Sequence, residues 1–196
     1  MCESDLADEE NHKSLMSMKN NVTPGSDGLT TEFYKFFWHL FGPTFSQIVR
    51  DTFDNNNTSL IVTQREGIIR LICKDKKNKD DLKFYRPISL LNTDYKIIAK
   101  TLANRLKCVL PHIIHPDQSY GIPGRTIQDN IIFTNAMFSY IEQKNIPAIY
   151  LNIDQEKAFD RVPHQYLFET IEKFGFGNNF IKWIKILYNS MTSKDP

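Results

Sequence analysis

Only three stretches of this chain read as β-strands, and one of them carries a proline. Gly67-Ile68-Ile69-Arg70-Leu71-Ile72-Cys73-Lys74 is short and rich in β-branched residues. After the charged stretch Asp75-Lys76-Lys77-Asn78-Lys79-Asp80-Asp81 comes Phe84-Tyr85-Arg86-Pro87-Ile88-Ser89-Leu90-Leu91. Proline has no N–H to give to a ladder, so this second strand must lie at a sheet edge or begin at Pro87. The third candidate, Ala148 to Ile153, stands far downstream. Two strands joined by a basic loop, set among helical segments without strict strand–helix alternation, predict an α+β class.

The helical segments follow from apolar spacing. After an acidic, ragged end over residues 1–11, His12 to Asn20 predicts a short helix with Leu15, Met16 and Met18 as its apolar positions. Thr23-Pro24-Gly25-Ser26-Asp27-Gly28 is a turn cluster. Leu29, Phe33, Phe36, Phe37, Leu40 and Phe41 then recur at helical spacing until Gly42-Pro43 stops the run, and a separate helix covers Phe45 to Phe53 before the Asn55-Asn56-Asn57 loop. Tyr95, Ile98, Ala99, Leu102, Leu106 and Val109 mark a strongly amphipathic helix ended by Pro111, with Lys96, Lys100, Arg105 and Lys107 on its other faces. Beyond the Gly121–Gly124 loop, helices are predicted over Ile127–Ile141, Tyr166–Phe174 and Phe180–Tyr188.

A net charge of +1 conceals an uneven distribution: residues 65–107 carry 12 Lys and Arg against 5 Asp and Glu, a local excess of +7. Such a field suits a polyanion, although a charge run is commonly a solvated face. Cys2, Cys73 and Cys108 are odd in number, widely spaced and without a CxxC, which predicts free thiols, with Cys73 and Cys108 as small core residues. No run of 18 apolar residues occurs and the opening is acidic. The expectation is an intracellular product, nuclear or cytoplasmic, neither secreted nor membrane-spanning.

Directly after the third strand candidate, Asp154, Glu156 and Asp160 fall within seven positions. Acidic residues in that place are often solvated turn residues. A carboxylate on a rigid strand also suits a divalent cation. Glu156 reads as a salt-bridging or solvated residue, and Asp160 as the cap of a helix that begins near Pro163.

Four stretches, in order, resemble the motif series of reverse transcriptases of non-LTR, long interspersed element type retrotransposons: Thr23–Leu29, Tyr85–Asn92, Asp117–Arg125 and Asp154–Asp160. The resemblance implies a right-hand RNA-directed DNA polymerase: mostly helical fingers with a β-hairpin over residues 12–142, and over 143–196 an incomplete palm with its first strand and helices. It implies an RNA template, a DNA primer and deoxynucleoside triphosphates as partners, and two Mg2+ ions. Asp154 would be the catalytic metal ligand, with the Gln155 carbonyl as a second ligand. Lys74 and Arg86 would contact the nucleotide's phosphates, and the Phe159 ring would lie under its sugar. Gln118, Arg125 and Arg70 would touch nucleic acid, Arg125 by binding phosphate at a helix start. The family's glycine- and glutamine-containing motif and its aromatic-x-Asp-Asp turn do not follow Asp160; the only Asp-Asp pair is Asp80-Asp81. The chain is therefore expected to be a fragment, inactive alone, with residues 147–190 loosely held. Two alternatives stand beside this reading: a non-catalytic nucleic-acid-binding module that uses the +7 segment, and an inert translated relic.

Overall fold

The computed structural model describes residues 2–54, 59–74, 80–189 and 191–194. Its helices are α1 (Asp8–Met16), α2 (Thr31–Asp54), α3 (Val62–Arg65), α4 (Thr93–Ile113), α5 (Ile127–Gln143), α6 (His164–Lys173) and α7 (Asn178–Tyr188). The strands are β1 (Glu66–Cys73), β2 (Tyr85–Leu91) and β3 (Thr192–Lys194), in the spatial order β2-β1-β3. β1 and β2 are antiparallel, in register from Gly67 opposite Leu91 to Cys73 opposite Tyr85. β3 runs parallel to the root of β1. Pro87 lies in the edge strand, as its missing donor requires. Mixed helix and sheet thus bear out the α+β expectation.

One core joins elements from both ends of the chain. Leu15 of α1, Tyr34, Phe45 and Val49 of α2, Ile97, Ile98 and Leu102 of α4, and Phe180, Trp183, Ile186 and Leu187 of α7 are all buried in it. Trp183 stacks on Phe53 with centroids 5.2 Å apart. α7 was expected in a loosely held segment, but burying four large apolar side chains contributes roughly 1.5–3 kcal/mol each. α5, expected to share the fingers core, buries no residue at all.

The predicted break at Gly42-Pro43 does not occur. α2 runs through Pro43 as one helix. An interior proline costs about 3 kcal/mol. Tyr34, Trp38, Phe41, Phe45 and Val49 form one stripe toward the core across the proline, and the burial of Phe45 and Val49 together offsets that cost. Gly42 is needed there, because a Cβ would meet the Trp38 ring at 2.7 Å. α4 likewise passes Pro111 and ends at Ile113.

Residues 2–11 are not ragged. α1 starts at Asp8, Leu6 is 2% exposed, and Asn11 is fully buried. The Ala148–Ile153 stretch, conversely, forms no strand: its residues are exposed and outside the sheet. An apolar run becomes a strand only against a partner, and the second edge of β1 is taken by β3. A ring contact between Tyr150 and Phe138 of α5, centroids 5.1 Å apart, ties the stretch down. The cysteines form no disulfide, but Cys108 is exposed and Cys73 half-buried, so neither is the core residue expected. Among the described residues no helix is long and apolar enough to cross a membrane.

Candidate functional site

The β1–β2 hairpin supplies the first cluster of candidate residues. In a strand, alternate side chains share a face, and directly opposed residues of an antiparallel pair point the same way. Arg70 faces Ile88 and Ile72 faces Arg86, so these four occupy one face. The Lys74 N–H donates to the Phe84 carbonyl at 2.7 Å, which continues the ladder by one residue and brings Lys74 to that face. Arg70, Lys74 and Arg86 are all exposed there beside the half-exposed Ile72 and Ile88. The structure therefore gathers three predicted cations on one basic, partly apolar surface. Lys76, Lys77 and Lys79 of the connecting loop lie outside the described residues.

At the hairpin's root the turn cluster meets the exit of β2. Asn92 Nδ2 donates to the Thr63 carbonyl of α3 at 2.7 Å, and Asn92 Oδ1 accepts from the Asp27 N–H at 3.3 Å. Thr93 Oγ1 donates to the Leu29 carbonyl at 2.9 Å. Behind them, burial raises the Asp94 carboxyl above its ordinary range; hydrogen bonds from the Tyr95 N–H and the Gln64 amide oppose that rise, and the Asp27 charge adds to it. The first two motif stretches are thus one physical unit. Sequence reasoning missed Asn92 as a contact residue, because an Asn that opens a helix reads as an ordinary cap.

Asp154 is exposed and, among the described residues, without a hydrogen bond or ion pair. It sits in a segment without regular structure, not at a strand end. Gln155 is exposed beside it, and Phe159 is 91% exposed in the following turn, outside any core. Lys157 holds that turn with φ of 50° and accepts at its carbonyl from the Asp160 N–H at 2.9 Å. Glu156 pairs with Arg161 at 2.8 Å, as expected of a salt-bridging residue. Asp160 does not cap α6: the cap position is Pro163, and no side chain bonds there. Among the described residues no three His, Cys, Asp or Glu side chains converge on a metal-sized site.

Arg125 is engaged within its own chain. Its Nη1 donates to the carbonyls of His115 at 2.6 Å and Gln118 at 2.8 Å, and its Nη2 to those of Pro111 at 3.1 Å and Ile114 at 3.0 Å. All the terminal guanidinium capacity goes to orphan carbonyls at the end of α4 and the loop beyond it. Arg125 staples that loop with both of its terminal nitrogens. Gln118 stays exposed, its own Nε2 3.4 Å from the Tyr120 carbonyl.

Arg105 was placed on an outer face and is 4% exposed instead. Nε donates to Glu10 Oε1 at 3.0 Å and Nη2 to the Asp5 carbonyl at 2.6 Å, with further bonds to Glu10 Oε2 and the Cys2 and Ser4 carbonyls. The signal was present: Ile98, Leu102, Arg105 and Val109 share one helical stripe.

With this geometry in place, comparison with known proteins is direct. Residues 74–195 match the reverse transcriptase (RNA-dependent DNA polymerase) family. An uncharacterized 149 kDa protein of transposon TX1 from Xenopus laevis is 42% identical over 188 residues, which cover 96% of this chain and 14% of that protein. A probable RNA-directed DNA polymerase from transposon BS of Drosophila melanogaster is 29% identical over 109 residues, 54% of this chain and 12% of the relative. The chain thus spans less than a sixth of either relative. The family match opens at the hairpin's Lys74, while α1 and α2 lie outside it and still share its core. This chain belongs to the reverse transcriptase (RNA-dependent DNA polymerase) family, of the non-LTR transposon type that its motifs resemble.

Proposed function

We propose that this segment is the nucleotide-gripping part of an RNA-directed DNA polymerase: the fingers over residues 12–142 and the opening of the palm over 143–196. The enzyme that carries it would add deoxynucleoside triphosphates to a DNA primer along an RNA template. The observation that supports this reading best is the single basic face formed by Arg70, Lys74 and Arg86 on a hairpin of a reverse transcriptase family member. Lys74 would act as a point charge on the triphosphate and Arg86 as a planar bidentate fork. Arg70, nearer the root, and Gln118 would contact nucleic acid.

Asp154 and the Gln155 carbonyl offer hard oxygen donors of the kind magnesium prefers. One carboxylate does not make a two-ion cradle, and among the described residues no three His, Cys, Asp or Glu side chains gather around it. The segment alone therefore does not fit the pair of ions, and activity belongs to the longer enzyme. The Phe159 ring, free of any core role, would bar a ribose 2′-hydroxyl by contact.

Primer extension on an RNA template by the full-length protein tests the reading. The Lys74→Ala/Arg86→Ala double variant is expected to raise the KM for deoxynucleotides by about tenfold or more, as lost charged contacts to a phosphate do. An unchanged KM removes the hairpin from the site. Phe159→Ala is expected to raise ribonucleotide against deoxynucleotide incorporation by roughly 10–100-fold, the discrimination one steric contact supplies. A ratio equal to wild type would reject its role.

The same basic face also favours nucleic-acid binding without catalysis. If about four phosphates are contacted, the logarithm of the association constant of this chain for single-stranded RNA falls against log salt with a slope near −3. Filter binding over a salt series reads that slope, and a flat response rejects the groove.

A further inference from the structure

We infer that Asn92 is a positioning residue that sets the tilt of the nucleotide-binding hairpin, an inference that rests on the polymerase reading above. Asn92 occupies the N-cap position of α4, where an asparagine side chain ordinarily accepts a bond from an amide of the first helical turn. Here it makes no such bond. The side chain, 1% exposed, is turned instead to two other segments. Nδ2 donates to the Thr63 carbonyl at 2.7 Å, and Oδ1 accepts from the Asp27 N–H at 3.3 Å, with Ser26 Oγ 3.4 Å away. Ser26 Oγ also lies 3.4 Å from Glu66 Oε2, on the first residue of β1.

The location gives these bonds their consequence. Thr63 precedes β1 by three residues and Asn92 follows β2 by one, so the Asn92–Thr63 bond ties the two ends of the hairpin together at its root. The bonds to Ser26 and Asp27 fix that root to the turn cluster. Gly25 is required for the fit: a Cβ there would lie 2.0 Å from Asn92 Oδ1 and 2.5 Å from the Asn92 backbone nitrogen. From Gly67 to Lys74 the hairpin extends about 24 Å at roughly 3.4 Å per residue. On a lever of that length a tilt of about 5° moves the cations by about 2 Å, and displacements near 1 Å are enough to lose about a hundredfold in a positioned reaction. The Asn92 carbonyl accepts the first bond of its own helix, from the Lys96 N–H at 3.2 Å, but nothing in the bonding of its side chain serves that helix; all of that holds this lever.

Two lesions reach the joint from opposite sides. Asn92→Ala and Gly25→Ala, each in the full-length protein, are expected to raise the KM for deoxynucleotides by about tenfold and to change kcat by less than about threefold, with the double variant no worse than about the poorer single one. A residue that merely supports the fold would lower the thermal midpoint and the active fraction and leave the KM of the folded enzyme at its wild-type value. Independently of activity, amide exchange in this chain should be about tenfold faster at Asp27 and at the hairpin root in Asn92→Ala, with the α7 amides unchanged as internal control. A wild-type protein that extends no primer would reject the polymerase reading. A wild-type protein that does extend, with Asn92→Ala at wild-type KM or with root exchange unchanged, would overturn the positioning role alone.

Discussion

Asp154→Asn in the full-length protein is expected to abolish primer extension, with a loss on the order of a thousandfold, the scale set by removing a charge aimed at the reacting atoms. Asparagine keeps the shape of the side chain and removes its negative charge, so binding of RNA and primer should persist while turnover disappears. The exposed placement of Asp154, with no bond or ion pair among the described residues, argues that its charge is not structural. Its neighbours provide the controls. Glu156 is held by Arg161, and the Asp160 side chain caps no helix and has no bonding partner among the described residues, so Glu156→Gln and Asp160→Asn should each keep near-wild-type rates. Should Asp154→Asn extend primers normally while Glu156→Gln does not, the metal ligand has been assigned to the wrong carboxylate. The folded fraction of Asp154→Asn, read by circular dichroism, should match wild type.

Local pattern was enough to mark the two hairpin strands, because β-branched runs flank a charged loop and Pro87 demands an edge strand or a strand that starts there; the structure takes the edge, with the strands antiparallel. It was also enough for the position of α5 and for α7, whose apolar spacing is regular. It misread α2, where a local breaker lost to burial on both sides of Pro43, a comparison that requires knowing where the core lies. It misread Ala148–Ile153 for the converse reason: strand propensity is a statement about a partner, and among the described residues no strand pairs with these. The candidate cations on the hairpin were legible by residue type, and their common face follows from register. Arg125 was not, because composition cannot distinguish a guanidinium aimed at phosphate from one that closes four carbonyls in its own loop. The acidic opening was misjudged in the same way, since its anchor, Arg105, is about a hundred residues away in sequence.

That anchor yields the largest stability effect expected in the molecule. Arg105→Ala should destabilise this chain by about 3 kcal/mol, since it removes the buried partner of a half-exposed ion pair and leaves several carbonyls without a donor. For a chain of this size that is a drop in Tm of roughly 10 °C. Arg105→Lys should recover little, because an ammonium on a flexible stem cannot span the two Glu10 oxygens and three carbonyls that the planar fork meets at once. Glu10→Gln should cost less, about 1 kcal/mol, because the Glu10 side chain is 39% exposed and partly screened. The Arg105 hydrogen bond lowers the Glu10 carboxyl below its ordinary 4.5, burial opposing it, and the Ala7 N–H at 3.2 Å lowers it further. A depressed carboxylate contributes stability that is complete above its unfolded value and is lost as pH falls through the folded one. Thermal unfolding followed from pH 7 down to pH 3 should therefore show an acid-sensitive component in wild type that is diminished in Arg105→Ala. If residues 1–11 were the solvated tail their composition suggests, Arg105→Ala would behave as an ordinary surface change, within about 0.5 kcal/mol, and the two pH profiles would run parallel.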